Sequence, residues 1–347
     1  MKIGFLRFEE YPGPRTRYLS LYANFYDVDF FYFTPSRIDV ERKIIKGLYF
    51  DKDAKSFIEK ETAYPDVIDD APMFRYRYPE LFNELLESGV FWFPPLGGKR
   101  KMYDVIKAGG HSKYLIETYN YQDIDIREML QKHGALILKP NRSGQGQNIY
   151  KLKFDEELFH LHFEHNTETL SPEEFKSFTE AKFNNTWLVQ NFIDSTTSQG
   201  NPFDVRVNTR RGKDGAWALK KMFIRIGNVN GVVSNIARGG SIGYYVDKFL
   251  EYEFGSDWKR IYSELISISR VLPDVLQKGY DYLLDDLGFD VGINRANGNE
   301  LKFFEVNTGT DPITYNIEAH EARFYYYLYL LDNFEKLHEV QMRELKR

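Results

Sequence analysis

The segment GFDVGINRANGNELKFFEVN, residues 288–307, decides how the rest of the chain reads. Two alternating runs flank Asn297-Gly298, the pair that most strongly signals a tight two-residue hairpin turn. With the turn there, Asp290 faces Glu305 directly across the strand pair, and Asn307 lies two residues on, on the same face. The opposite face carries Phe289, Val291 and Ile293 against Val306 and Phe304, a core side. Like charges directly opposite destabilise a sheet by a few tenths to about 1 kcal/mol. A divalent cation reverses that sign, and magnesium takes oxygen ligands, typically one or two carboxylates plus nucleotide phosphates. A solvated polar face that tolerates the repulsion is the competing explanation.

Upstream, KPNRSGQGQN (139–148) follows the short strand expected at Leu136–Leu138. Glycines let a backbone approach an anion and turn its N–H groups toward it, and Lys139 at the strand end adds a point charge. A plain hairpin loop with glycines reads the same way. Trp187–Ile193 is an apolar strand ending in Asp194. A strand of this kind with one free edge can pair with the polar edge of adenine, and the following acid can hold a ribose hydroxyl; a simple core strand is the alternative. Asp204-Val205-Arg206 puts an acid and a base on one strand face, where a mere ion pair would contribute little if exposed.

The 347 residues are 42% hydrophobic and 28% charged, enough for two or three packed units. A net charge of −5 with interspersed signs argues against a general nucleic-acid surface. The absence of cysteine excludes disulfides, thiolate metal sites and a cysteine nucleophile. The opening MKIGFLRFEEYPG turns charged before a signal-peptide core forms, and no apolar run approaches a membrane span, so the expected location is the cytoplasm. Strands expected at Lys2–Phe8, Val28–Phe33, Asp66–Asp69 and Val90–Phe93 alternate with helices at Arg15–Tyr26 and Pro79–Ser88, giving a small parallel α/β unit. Pro94-Pro95-Leu96-Gly97-Gly98 marks a boundary, followed by a helix over Lys99–Ala108. Helix is also expected in parts of Asp155–Lys182, over about Tyr262–Leu284 and in the tail from Tyr315.

Several familiar signatures fail. Gly98-Lys99 is followed by Arg100 instead of Ser or Thr, so no Walker loop is present. Gly144 and Gly146 begin a dinucleotide fingerprint, but Ile149 holds the third glycine's place. His160, His162, Glu164 and His165 read as a solvated amphipathic face in preference to a metal site, and His320-Glu321 lacks a zinc-protease partner histidine.

In their order along the chain, a lysine near a boundary, K-P-N-x-S-G-x-G, L-V-Q-x-x-I, F-D-x-R, S-N-x-x-x-G-G, G-x-D and E-V-N resemble the ATP-grasp superfamily, in its YheC/YheD-like, endospore-coat-associated branch. The resemblance implies an α/β (α+β) ATP-grasp fold over 98–347, preceded by an α/β domain over 1–97. It divides the larger unit into 98–195, with the glycine loop, and 196–347, with the metal and substrate subdomain. It implies ATP and Mg²⁺. Lys99 (or neighbouring Arg100 or Lys101) and Lys139 would hold phosphates, and Ser143, Gly144 and Gly146 would close over them. Gln190, Asn191, Phe192 and Ile193 would pair with adenine and Asp194 with ribose. Arg206 would hold the transferring phosphate, Asn235 and Arg238 would border the substrate, and Asp290, Glu305 and Asn307 would ligate the metal. Thr308-Gly309-Thr310-Asp311-Pro312 departs from the short proline-glycine turn usual after E-V-N, which bears on acceptor recognition. The implied activity is a carboxylate–amine ligase acting through an acyl-phosphate on small-molecule or peptide carboxylates and amines, with no nucleic-acid or membrane partner. A kinase on the same scaffold and a nucleotide-binding structural protein are the alternatives.

Overall fold

The computed structural model describes residues 1–71, 73–89, 91–92, 96, 99–141, 148–155, 157–163, 166–183, 186–229, 231, 234, 239–308 and 317–345; the side chains of 91, 92, 99, 317–319 and 342–345 fall outside that description. Three sheets organise these residues. In the first, Asp29–Phe33, Lys2–Leu6, Val67–Asp69 and Phe91–Trp92 lie parallel in that spatial order. The continuous apolar run of Asp29–Phe33 follows from burial on both faces. Phe31 and Phe33 meet Phe74, Leu85 and Leu86 on one side. On the other, Phe30 and Tyr32 meet Leu19 and Ala23 of helix Pro14–Phe25 and Phe324, Tyr327 and Leu330 of helix Ile317–Asp332. The chain's last long helices therefore return to its first sheet.

The parallel strands expected from the sequence are joined by an antiparallel element that was not expected. The hairpin Ile44–Asp51 with Ser56–Ala63 joins the sheet antiparallel through Tyr32 and Leu48. Its outer strand, SFIEKETA, carries the charges that blunt an exposed sheet edge, and those charges hid it from a hydrophobicity reading.

The second sheet runs Asn166–Leu170, Phe159–Phe163, Tyr150–Phe154, Ala135–Pro140, Trp187–Asn191, Thr118–Asn120, antiparallel throughout. Of the helix expected between 155 and 182, Pro172–Lys182 forms, whereas FHLHF alternates with period two and is a strand. Ser171 opens that helix in a capping box with Glu174. Ser171→Ala is expected to lower stability by about 1 kcal/mol, read as a shifted urea midpoint at unchanged slope.

The third sheet runs Ser241–Gly243, Trp217–Ile226, Phe203–Arg211, Asp286–Asn294, Glu300–Asn307, again antiparallel. Its apolar face, including Val205, Val207, Phe289 and Val291, packs on Leu250, Leu265, Ile268 and Leu272 and on Met102 and Ile106 of helix Lys99–Ala108. The helix expected near 262–284 is Trp258–Gln277, and a further helix, Val246–Phe254, precedes it, the two parted at Gly255, whose φ is +53°.

Candidate active site

Alternation along the second sheet sends Leu136, Leu138, Leu152 and Val189 into its own core. Lys139 opposite Leu188, and Ile137 opposite both Gln190 and Lys151, share the other face. That face borders a cavity of about 600 Å³ lined by Lys139, Gln190, Thr118, Tyr103, Arg100, Phe304 and Glu305 among others. The volume suits a small-molecule ligand. Lys139 and Gln190 arrive on strands of the second sheet, Tyr103 on helix Lys99–Ala108, and Glu305 on the last strand of the third sheet.

The Gln190 amide is fixed, its Nε2 donating to Thr118 Oγ1 at 2.6 Å and to the Tyr103 hydroxyl at 3.2 Å. The expectation of a free strand edge at this place is not met. Trp187–Asn191 pairs with Ala135–Pro140 on one side and, over 188–190, with Thr118–Asn120 on the other. The segment beyond it crosses between sheets. Phe192 N–H donates to the Ala135 carbonyl at 3.2 Å. Asp194 N–H donates to Asn294 Oδ1 at 3.2 Å, and its carbonyl accepts from Arg295 N–H at 2.9 Å. Asp194 Oδ1 accepts from the Thr196 hydroxyl at 2.7 Å. Asn191 to Asp194 thus form a hydrogen-bonded link from the second sheet to the hairpin loop of the third.

On the polar face of the third sheet, opposite charges alternate across strands. Arg206 lies opposite Asp290, and Asp204 opposite Arg225. Asp290, 5% exposed, accepts from Arg206 Nε on Oδ1. On Oδ2 it takes Arg206 Nη2 at 3.0 Å, Arg225 Nη2 at 2.9 Å and Asn307 Nδ2 at 3.4 Å. Burial works to raise the Asp290 carboxyl, but the guanidiniums of Arg206 and Arg225 overcome it and hold the group below the ordinary carboxylate range. Asp204 is bidentate to Arg225, at 2.7 and 2.8 Å, and does not pair with its sequence neighbour Arg206.

Asp290 does lie opposite Glu305, by a different route from the one expected. The connection is a five-residue loop between paired Asn294 and Glu300, with Gly298 and Asn299 both in the left-handed region at φ +58° and +55°. A bulge at Asp290/Val291 then restores the register. The bulge also corrects the core side. Phe303 is the buried ring, and Phe304 turns to the cavity, covering Gly292. A Cβ at 292 would lie 2.4 Å from Phe304 Cζ. Gly292→Ala should therefore cost about 1–3 kcal/mol in urea unfolding and displace the Phe304 ring from the cavity.

Ser143, Gly144, Gly146, Asn235 and Arg238 lie outside the described residues, as does the Lys99 side chain, although its backbone begins a helix. Arg100 lines the cavity, whereas Lys101 stacks on Tyr280, its Nζ 4.2 Å from the ring centre. His160 is on a strand, bonded to Asp155 at 2.7 Å and to Thr169 at 3.3 Å. Among the described residues no three His, Asp or Glu side chains form a metal-holding group, so a cation at Asp290 and Glu305 would need the Asn307 amide as third oxygen donor.

Two further residues, Arg225 and Lys151, bear on the site. Arg225 sits in an alternating strand whose pairing with Asp204 could not be read without a turn signal. Lys151 lies on the cavity-side face of its sheet, with Nζ 3.5 Å from the Phe192 ring centre. Burial, then Lys153, bring its ammonium down to about 8. The K-x-K alternation in YKLKF was the available signal.

Two antiparallel sheets whose polar faces supply one cavity with a lysine from one side and an acid from the other form the setting for the comparisons. Residues 90–332 match the YheC/D like ATP-grasp family. The chain belongs to that family. Among YheC/D-like relatives, the endospore coat-associated protein YheD of Bacillus subtilis (strain 168) is 22% identical over 190 residues, 53% of this chain and 41% of that protein. The match thus spans less than half of that relative's length. D-alanine–D-alanine ligase from Bacillus anthracis aligns over 99% of both chains at 12% identity and a TM-score of 0.50. A RimK domain ATP-grasp protein from Sphaerobacter thermophilus DSM 20745 aligns over 95% of this chain and 98% of its own at 10% identity and a TM-score of 0.51. These structural likenesses speak for an ATP-grasp fold in this YheC/D-like chain, as its mixed α/β sheets do. No helix among its described residues is long and apolar enough to cross a membrane.

Proposed function

We propose that the chain is an ATP- and Mg²⁺-dependent carboxylate–amine ligase acting on an amino acid or peptide, with the nucleotide held at the Lys139–Gln190–Glu305 cavity. The observation that carries this reading is the joint presence at one cavity of Lys139 and Gln190 from one sheet and Glu305 from another, with Asp290, Arg206 and Asn307 beside Glu305. Bare nucleotide storage has no need of a buried arginine–carboxylate pair there. The division into 1–97, 98–195 and 196–347 belongs to the same proposal, the last two closing on the nucleotide.

The donor set fits magnesium. It is all oxygen, and Asp290 is anionic across the neutral range. Among the described residues Asp290 Oδ1 has one donor where Oδ2 has three, which leaves a lone pair there. Glu305, Asn307 and that oxygen would hold the cation, whose chemistry is to neutralise phosphate charge. Lys139 would pair with a phosphate oxygen, and Arg206, oriented by Asp290, would stabilise negative charge at the transferring group. In the reaction a carboxylate oxygen bonds to the γ-phosphorus as ADP leaves, and an amine then displaces phosphate. The glycine loop, Ser143, Gly144 and Gly146, would exclude water from the acyl-phosphate.

The test is a screen of amino acids and peptides for stimulated ADP release, with mass spectrometry of products. An acylated amine supports the proposal, and ADP release with no acylated product under any acceptor mixture counts against it. Transfer of ¹⁸O from a labelled carboxylate into phosphate separates ligase from kinase. Lys139→Met is expected to raise the KM for ATP about tenfold or more, with circular dichroism unchanged. Failure of the chain to form ADP at all would favour a structural role such as the name of the coat-associated relative evokes.

A further inference from the structure

The first sheet gathers buried charged side chains at a topological switch point. Its order switches direction between Lys2–Leu6 and Val67–Asp69, and in open α/β sheets ligands settle outside the carboxyl ends of the strands at such a point. Here Arg7 leaves the first strand and Asp69 ends the other. Arg7 Nη2 donates to Asp69 Oδ1 at 2.8 Å. Asp69 Oδ2 accepts from Arg323 Nη1 at 2.7 Å and from the Tyr327 hydroxyl at 2.5 Å. Arg15, in the first turn of helix Pro14–Phe25, joins them, its guanidinium 5.0 Å from the Phe5 ring centre and that of Arg7 3.6 Å from it. This helix has no side-chain cap and no acid in its first turn, so its positive end adds to the same field.

An independent sign of a ligand comes from two buried atoms. His320, 4% exposed and stacked on Tyr18, has no hydrogen-bond partner for Nε2 among the described residues. Burial, then Arg15, Arg323 and Arg210, push its ring down to about 4, so it is neutral at neutral pH. Asn208, 6% exposed, leaves Oδ1 without a partner among the described residues. It lies between Arg206 and Arg210 on one strand face, opposite Gly288. An orphaned polar atom in a native interior calls for a missing partner. Arg206 and Arg210, paired with Asp290 and Asp286 respectively, are four residues apart on their strand, about 13 Å, so a row of ion pairs leads from the proposed transfer site to this cluster.

We propose that the cluster of Arg7, Arg15, Arg323 and His320 anchors a second carboxylate of the substrate, which makes the substrate an acidic peptide-sized molecule. One carboxylate would react beside Arg206 while the other is held at the switch point. This deepens the ligase reading and rests on it for the word substrate, but binding at the anchor needs no nucleotide and is measured separately.

The experiment is calorimetric titration of the full chain, without nucleotide, with L-Ala-L-Glu and with its diamide, L-alanyl-L-glutamine amide. The dipeptide is expected to bind about tenfold or more tightly than the diamide, and Arg15→Gln and His320→Gln each to weaken it by a similar factor. Mg-ADP affinity should stay unchanged in both variants. Equal binding of acid and diamide, binding of neither, or undiminished binding by a folded Arg15→Gln or His320→Gln variant would overturn the anchor, leaving the cluster as interdomain glue. Should Arg15→Gln fail to fold, His320→Gln carries the comparison. Loss of Mg-ADP binding in the unaltered chain, with dipeptide binding intact, would instead sink the ligase reading alone.

Discussion

Glu305→Ala is expected to abolish magnesium-dependent ADP formation while leaving the fold as stable as before, or slightly more so. The two halves of that result come from one geometry. Glu305 lies directly opposite Asp290, a like-charge pairing that costs a few tenths to about 1 kcal/mol, and its removal by alanine offsets the loss of the other contacts Glu305 makes. Functionally, Glu305 is the carboxylate of the pair that lines the cavity, while its partner is committed to two guanidiniums. Measured ADP release should fall to background at every magnesium concentration, with the urea midpoint unchanged or raised. Retained activity would remove Glu305 from the proposed site. A large loss of stability would show that Glu305 supports the sheet and that its cost was misjudged.

Asp290→Asn should behave in the opposite way, losing about 3–5 kcal/mol of stability as well as activity. Breaking one partner of a buried ion pair leaves the other charge uncompensated, and here the guanidinium of Arg206, 14% exposed, is left so. Arg225 keeps Asp204 at 2.7 Å, so the loss concentrates on Arg206. Urea unfolding of Asp290→Asn and of the double variant Asp290→Asn/Arg206→Met tests the cause. The second change should recover part of the loss, because the stranded charge goes with it. No recovery would mean that Asp290 acts through something other than its arginines.

The pairing of Asp290 with Glu305 was legible in the residues, although two features behind it were not. A two-residue turn at Asn297-Gly298 and an unbroken ladder lead to the same opposition as the actual five-residue loop and bulge, because the extra turn residue and the bulge cancel. Between them, at Phe303 and Phe304, the cancellation fails and the faces are exchanged. Period-two alternation cannot reveal a bulge, since Phe303 and Phe304 are chemically the same. Long-range partners were equally hidden. Nothing local in FDVRV says that Arg206 turns to a residue 84 positions away instead of to Asp204. The motif order did point to the ATP-grasp fold, because glycines, lysines and acids at strand ends are constrained by backbone approach and charge. The parallel first sheet was readable from continuous apolar strands, while its antiparallel hairpin was masked by charge.

The helix Ile317–Asp332 lends Phe324, Tyr327 and Leu330 to a core whose other half is Ile3, Phe5, Phe30 and Tyr32. During synthesis, at roughly 5–20 residues per second, those early rings wait on the order of tens of seconds for their cover to emerge. Through that interval only helix Pro14–Phe25 covers that side of the nascent sheet, and the tyrosines and phenylalanines beside it are open to chaperones or to a neighbouring nascent chain. A version stopped before residue 317 would keep every strand among the described residues and still leave that side half covered. The end of the message, more than its beginning, sets when the amino-terminal layer becomes safe from aggregation.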